Sequence, residues 1–156
     1  MYYSESAVLD TEGEEGVLEK LIQDLKLENR QVMKHHLDLS ETHYVDEKWD
    51  DSIANSRKFL ESVLQEIAAR HHLFKTGQPI DPVVYSRPVR VRDYLKSQGL
   101  VEPKEKEAIA TIYGLLSETG GHPYVAQKDQ ARLMRYLALT FAQFALLRLR
   151  GALQAS

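Results

Sequence analysis

Gln127-Lys-Asp-Gln-Ala-Arg-Leu-Met-Arg-Tyr-Leu-Ala-Leu-Thr-Phe-Ala-Gln-Phe-Ala-Leu-Leu-Arg-Leu-Arg150 is the stretch that decides the fold. It contains no Gly or Pro, so nothing interrupts a helix over its whole length. Met134, Leu137, Ala138, Phe141, Phe144, Ala145 and Leu147 fall on one stripe and read as inward, yet Leu139, Ala142 and Leu146 make the segment apolar on nearly every side. A helix apolar all round must be covered all round. It therefore predicts either a central helix of a bundle or a homodimer interface centred on Phe141 and Phe144.

The remaining chain supplies the covering helices. Glu14 to Leu27 spaces Val17, Leu18, Leu21, Ile22 and Leu25 helically, with acids in the first turn where the helix dipole favours them. Glu28 to Tyr44 is mixed: Val32, Met33 and Leu37 continue a helix, whereas Asp38, Ser40 and Thr42 read as a turn, so helix is expected only to about Leu37. A second strong helix runs from about Trp49 to His72, burying Ile53, Phe59, Leu60, Val63, Leu64, Ile67 and Ala68 and turning Arg57, Lys58, Glu61 and Glu66 outward. Gly77, Pro79, Pro82 and Pro88 forbid a continuous helix from Lys75 to Val89 and predict a long irregular connection. A short helix about Val91 to Gln98 ends at Gly99, and Pro103 starts another that stops at Gly120-Gly121. The expectation is an all-α compact bundle of about five helices with a long Pro-containing loop: a flexible arm over 1–12 and a single domain over 13–156.

Composition bounds the function. A chain of 156 residues, 43% apolar and 28% charged, fits one globular domain. With no cysteine, disulfides, thiolate catalysis and cysteine-ligated zinc are excluded. The acidic N-terminus lacks a basic region before an apolar run and does not read as a signal peptide, and no apolar run approaches the roughly 20 residues of a membrane span. A cytoplasmic protein without membrane contact is expected. The net charge of −3 hides an asymmetry: residues 1–51 carry 14 Asp and Glu against 5 Lys and Arg, and residues 52–156 carry 9 against 15. The basic part can serve ordinary intramolecular pairing or an anionic ligand such as RNA.

The chemistry-bearing candidates are few. Tyr113 to Tyr124 runs a helix into Gly120-Gly121 and presents His122 before Pro123, with Ser117 nearby, a geometry suited to binding phosphate or moving a proton. Arg87, Arg90 and Arg92 alternate with Tyr85 and Tyr94, joined by Arg70 and Lys75, as in surfaces that neutralise phosphates and stack bases. His35-His36, His43 and His71-His72 lack metal-ligand spacing, because adjacent helical residues point about 100° apart. No metal and no cofactor is expected.

Five features in order resemble the HEPN-type helical domains of prokaryotic abortive-infection and toxin–antitoxin systems, in particular the abortive-infection C-terminal type. They are the Trp49 to Leu64 helix, a polar loop, Val91-Arg-Asp-Tyr-Leu95, Tyr113-Gly-Leu-Leu-Ser117 with Gly121-His-Pro123, and the final apolar helix. The likeness spans about residues 45–150. It implies a dimer, an RNA or antitoxin-like protein partner and, in active members, a metal-independent ribonuclease built from an Arg, four to six variable residues and a His. His122 takes the position of that His, but the residues where the Arg belongs are Leu115, Leu116 and Ser117. A serine hydroxyl does not supply the bidentate positive charge of a guanidinium. Arg132 or Arg135 on the following helix is the available substitute; Arg30 with His35 or His36 also matches the spacing, a coincidence that chance explains. The resemblance thus implies a non-catalytic binding or regulatory module, with a degenerate ribonuclease or a purely structural dimerisation domain as alternatives.

Overall fold

In a computed structural model the described residues form helices and no strand. The structure describes the backbone of residues 11–118 and 128–155 and the side chains of residues 13–114 and 128–155. Seven helices occur among these residues: α1 Thr11–Asp24, α2 Arg30–Val45, α3 Trp49–Thr76, α4 Pro82–Tyr85, α5 Pro88–Ser97, α6 Pro103–Glu118 and α7 Lys128–Gln154. The expected count of about five was low. Residues 1–10, most of the expected N-terminal arm, lie outside the described residues, and α1 begins at Thr11, ahead of Gly13.

The centre of the bundle is α3, a helix of 28 residues that packs on α2, α7, α6, α5 and α4. Phe59, Leu60, Val63, Leu64, Ile67 and Ala68 are buried along it as expected. The final helix α7 is the second axis of the core. Its buried stripe is Ala131, Met134, Arg135, Ala138, Leu139, Ala142, Ala145, Leu146 and Leu149. Leu147, expected inward, is 44% exposed, while Phe141 and Phe144 are partly buried against the core. The chain thus covers most of this helix itself, because α1, α2, α3 and α6 all meet it.

Two helices run further than their sequences suggest. α2 continues to Val45, because Ser40 and Thr42 do not break it: the Ser40 hydroxyl donates to the Leu37 carbonyl at 2.7 Å, and Ser52 of α3 donates to the Ser40 carbonyl at 2.7 Å. α3 continues to Thr76, where Gly77 adopts φ 72° and donates its N–H to the Leu73 carbonyl at 2.8 Å. Positive φ costs glycine nothing, so the helix ends there.

The expected irregular connection over 75–89 is therefore shorter and contains a helical turn. Asp81 caps α4 by accepting the Val83 N–H at 2.8 Å, with Pro82 at the first helical position. Pro88 likewise takes the first helical position of α5, though Arg87 before it makes no side-chain cap, and Gly99 at φ 74° follows its end. Before α6 the Glu102 N–H donates to Glu105 Oε1 at 2.7 Å, half of a capping box. Among the described residues no helix is long and apolar enough to cross a membrane.

Candidate functional site

Between α1 and α2 the chain reverses within five residues, with Lys26 at φ 57° and Asn29 at φ 55° both left-handed. Asn is among the few side chains that accept this conformation readily. The reversal places Asn29 Nδ2 3.2 Å from Glu66 Oε2 and 3.3 Å from the Tyr85 hydroxyl. Tyr85 comes from α4 and donates a short hydrogen bond to the same Glu66 Oε2, while Gln65 Nε2 holds the Tyr85 carbonyl at 2.8 Å. Burial, reinforced by the Glu66 carboxylate, pushes the Tyr85 phenol up to about 12, so it remains a hydrogen-bond donor at neutral pH.

This knot forms one side of a cavity of about 710 Å³ whose walls include Ala69, Leu73, Pro79 and Ile80, with Lys26, Glu28 and Arg70 also lining it. Glu66 is 4% exposed, contrary to its expected outward face. The signal that would have found it is its spacing: Glu66 lies two turns from Phe59 and three residues from Val63, on the buried face. A second cleft of about 890 Å³ separates α1 from α2, with Leu18, Met33 and Phe59 in its lining and Glu19, Arg30 and Lys34 among its charged residues.

A polar seam ties α3, α5 and α6 together. Tyr113 donates to Glu61 Oε2 at 2.6 Å, Arg57 Nη1 reaches the same oxygen at 3.3 Å, and the Arg92 guanidinium stacks over the Tyr113 ring at 4.7 Å. Burial, then Glu61, pushes the Tyr113 phenol far up, so it too stays a donor. Tyr94 is turned toward α3, with its hydroxyl 2.8 Å from His71 Nδ1 and its ring edge-on to both His71 and His72. Arg92 and Tyr94, singled out for nucleic-acid contact, thus engage groups of their own chain. Arg70 Nε donates to the Leu25 carbonyl at 3.1 Å, and Lys75 Nζ to Gln98 Oε1 at 2.6 Å. Arg87 and Arg90 are exposed, with no ion pair among the described residues.

The His71 contact has a pH consequence. Burial, with Lys75 and His72 adding to it, lowers the His71 pKa below 6.5. As pH falls through 6.5 the unfolded chain takes up a proton that the folded chain resists, so this contribution to stability is complete above 6.5 and declines down to the lowered folded value. His36, lowered by burial first, acts in the same direction. The melting temperature is expected to fall between about pH 7 and pH 5, and less steeply in His71→Gln; equal slopes by calorimetry would remove His71 as a cause.

His122 and the side chain of Ser117 lie outside the described residues. Arg132 is partly exposed at the start of α7. Arg135 is 8% exposed, 3.7 Å from Glu15 and 5.3 Å over the Tyr44 ring, inside the core patch that Ile53, Ala131 and Met134 share. Phe141 and Phe144 stack edge to face at 6.5 Å, and Arg148, paired with Glu105 at 3.1 Å, covers the Phe144 ring at 5.1 Å. Among the described residues no three His, Asp or Glu side chains gather as a metal site. No protein-family model, curated protein or solved structure matches the chain.

Proposed function

We propose that this chain is a HEPN-like helical binding module of the abortive-infection type, without nuclease activity of its own, that takes RNA or another polyanion at Arg87 and Arg90. The burial of Arg135 carries the non-catalytic reading. A transition-state phosphate needs a guanidinium that it can reach, and this one is 8% exposed, over the Tyr44 ring and near the Glu15 carboxylate. Arg132, partly exposed, is the other arginine near the start of α7, and a cytoplasmic role beside an antitoxin-like protein partner is part of the same reading. Homodimerisation through the outer face of α7 is included in it: Leu133 and Leu147 are 52% and 44% exposed there, with Phe144 beside them.

Metal-free protein incubated with a panel containing single-stranded RNA and transfer RNA is expected to leave every RNA intact. Binding to single-stranded RNA, followed by fluorescence anisotropy, should weaken about tenfold or more in the double variant R87E/R90E, with a shallower salt dependence because two phosphate contacts are gone. Cleavage by the unmodified chain that His122→Ala abolishes would replace this reading with the ribonuclease. RNA binding unchanged in R87E/R90E would remove the arginine pair from it.

A further inference from the structure

We propose that the cavity between α3, α4 and the α1–α2 turn binds a free α-amino acid with an apolar side chain, its ammonium on Glu66 and its carboxylate on Arg70. The proposal is independent of the HEPN-like reading, and Arg87 and Arg90 are not part of the cavity lining. The cavity volume, about 710 Å³, falls in the range of small-molecule sites, roughly 300–1,000 Å³. Leu73, Pro79 and Ile80 give it an apolar wall.

The polar groups define the ligand. Both protein donors to Glu66, Tyr85 and Asn29, end on Oε2, and Oε1 receives no hydrogen bond from the described residues. Glu66 lines the cavity, and a carboxylate oxygen without a protein donor can take a ligand N–H in a charge-assisted hydrogen bond. One turn along α3 stands Arg70. A Glu followed by a basic residue four positions later is the arrangement that favours an ion pair on a helix. Here the two do not pair. Arg70 Nε is turned to the Leu25 carbonyl, and Glu66 is held by Tyr85 and Asn29. The fold thus keeps an anion and a cation apart on one wall, with Cβ atoms about 6 Å from each other by helix geometry.

An ammonium and a carboxylate on one carbon bridge such a gap. A simple amine would set its charge against Arg70, and a simple carboxylate would set its own against Glu66. Lys26 and Glu28, which also line the cavity, carry opposite charges and favour neither. Only a zwitterion uses both groups, and its side chain then meets Leu73 and Ile80.

The test uses the full chain, with binding read by titration calorimetry and melting temperature. L-leucine, L-isoleucine, L-methionine and L-phenylalanine are the probes, alongside 3-methylbutan-1-amine and 4-methylpentanoate, which are leucine without its carboxylate and without its ammonium. At least one amino acid is expected to bind and raise the melting temperature, and each leucine analogue to bind about tenfold or more weaker than leucine. Glu66→Gln and Arg70→Gln should each lose about tenfold. If Glu66→Gln fails to fold, Leu73→Asp gives the same answer, since Leu73 is 46% exposed and its replacement should spare the fold while spoiling the wall. No binding by any of the four amino acids at millimolar concentration would overturn the proposal, as would analogues that bind as well as leucine, or unchanged binding in Arg70→Gln and Leu73→Asp.

Discussion

Replacing Phe59 by alanine is expected to destabilise the chain by about 3–5 kcal/mol, the cost of emptying a large aromatic site in a core that cannot collapse around it. Phe59 is 1% exposed on α3, in one buried cluster with Leu18 of α1, Met33 of α2 and Ala138 and Ala142 of α7. Four helices thus contribute to the cluster that holds this ring. None can close the void without moving against its other neighbours. Against the roughly 5–15 kcal/mol that hold a typical domain together, this is a large fraction. At about 2–4 °C per kcal/mol for a domain of this size, the melting temperature should fall by about 10 °C. Urea unfolding monitored by circular dichroism checks it, with the midpoint moving and the slope unchanged. Val45→Ala, at a side chain 71% exposed, is the control and should stay within about 0.5 kcal/mol. A loss below about 1 kcal/mol for Phe59→Ala would mean that α3 is not the axis of the core.

The same residues explain what could be read from the sequence. α1, α3, α6 and α7 were legible because long apolar periodicity leaves few other solutions. α7 was recognised as a covered helix but rotated: with apolar side chains on nearly every face, periodicity alone does not choose between Leu146, which is fully buried, and Leu147, which is not. α2 was cut short because Ser40 and Thr42 favour local turns in isolation. In the fold a long-range partner, Ser52, takes the Ser40 carbonyl and the competition ends in favour of the helix. The Asp81-Pro82 pair was a readable helix start that the neighbouring prolines obscured. For the site, charge type was legible and direction was not. Arg92 and Tyr94 have the composition of a nucleic-acid contact, but whether they face outward depends on Tyr113 and His71, distant in sequence. The buried face of Glu66 is legible in its spacing to Phe59 and Val63, but its partners Asn29 and Tyr85 come from two other helix ends and are not. The His122 turn, the strongest sequence feature, falls outside the described residues.

The contact of α2 with α3 predicts a second large effect, through crowding rather than a void. Ser52 is fully buried, Ser56 is 2% exposed one turn later, and Ser40 of α2 is 1% exposed opposite them. These short side chains let the two backbones approach closely enough for Ser52 Oγ to donate to the Ser40 carbonyl at 2.7 Å, while Ser56 Oγ donates back to the Ser52 carbonyl at 2.9 Å. Ser52→Ala removes one buried hydrogen bond and keeps the space, so about 1 kcal/mol should be lost. Ser52→Leu removes the same bond and forces two more heavy atoms between the helices, which adds about 1–3 kcal/mol of strain. The larger and more apolar side chain should therefore be the more damaging one, the reverse of what burial of apolar area alone predicts. Thr111→Leu, at an exposed position on α6, should cost little by comparison. Equilibrium unfolding of the three variants decides the matter: if Ser52→Leu is as stable as Ser52→Ala, the gap between α2 and α3 has room for a leucine, and the serine pair is not what sets the spacing of the two helices.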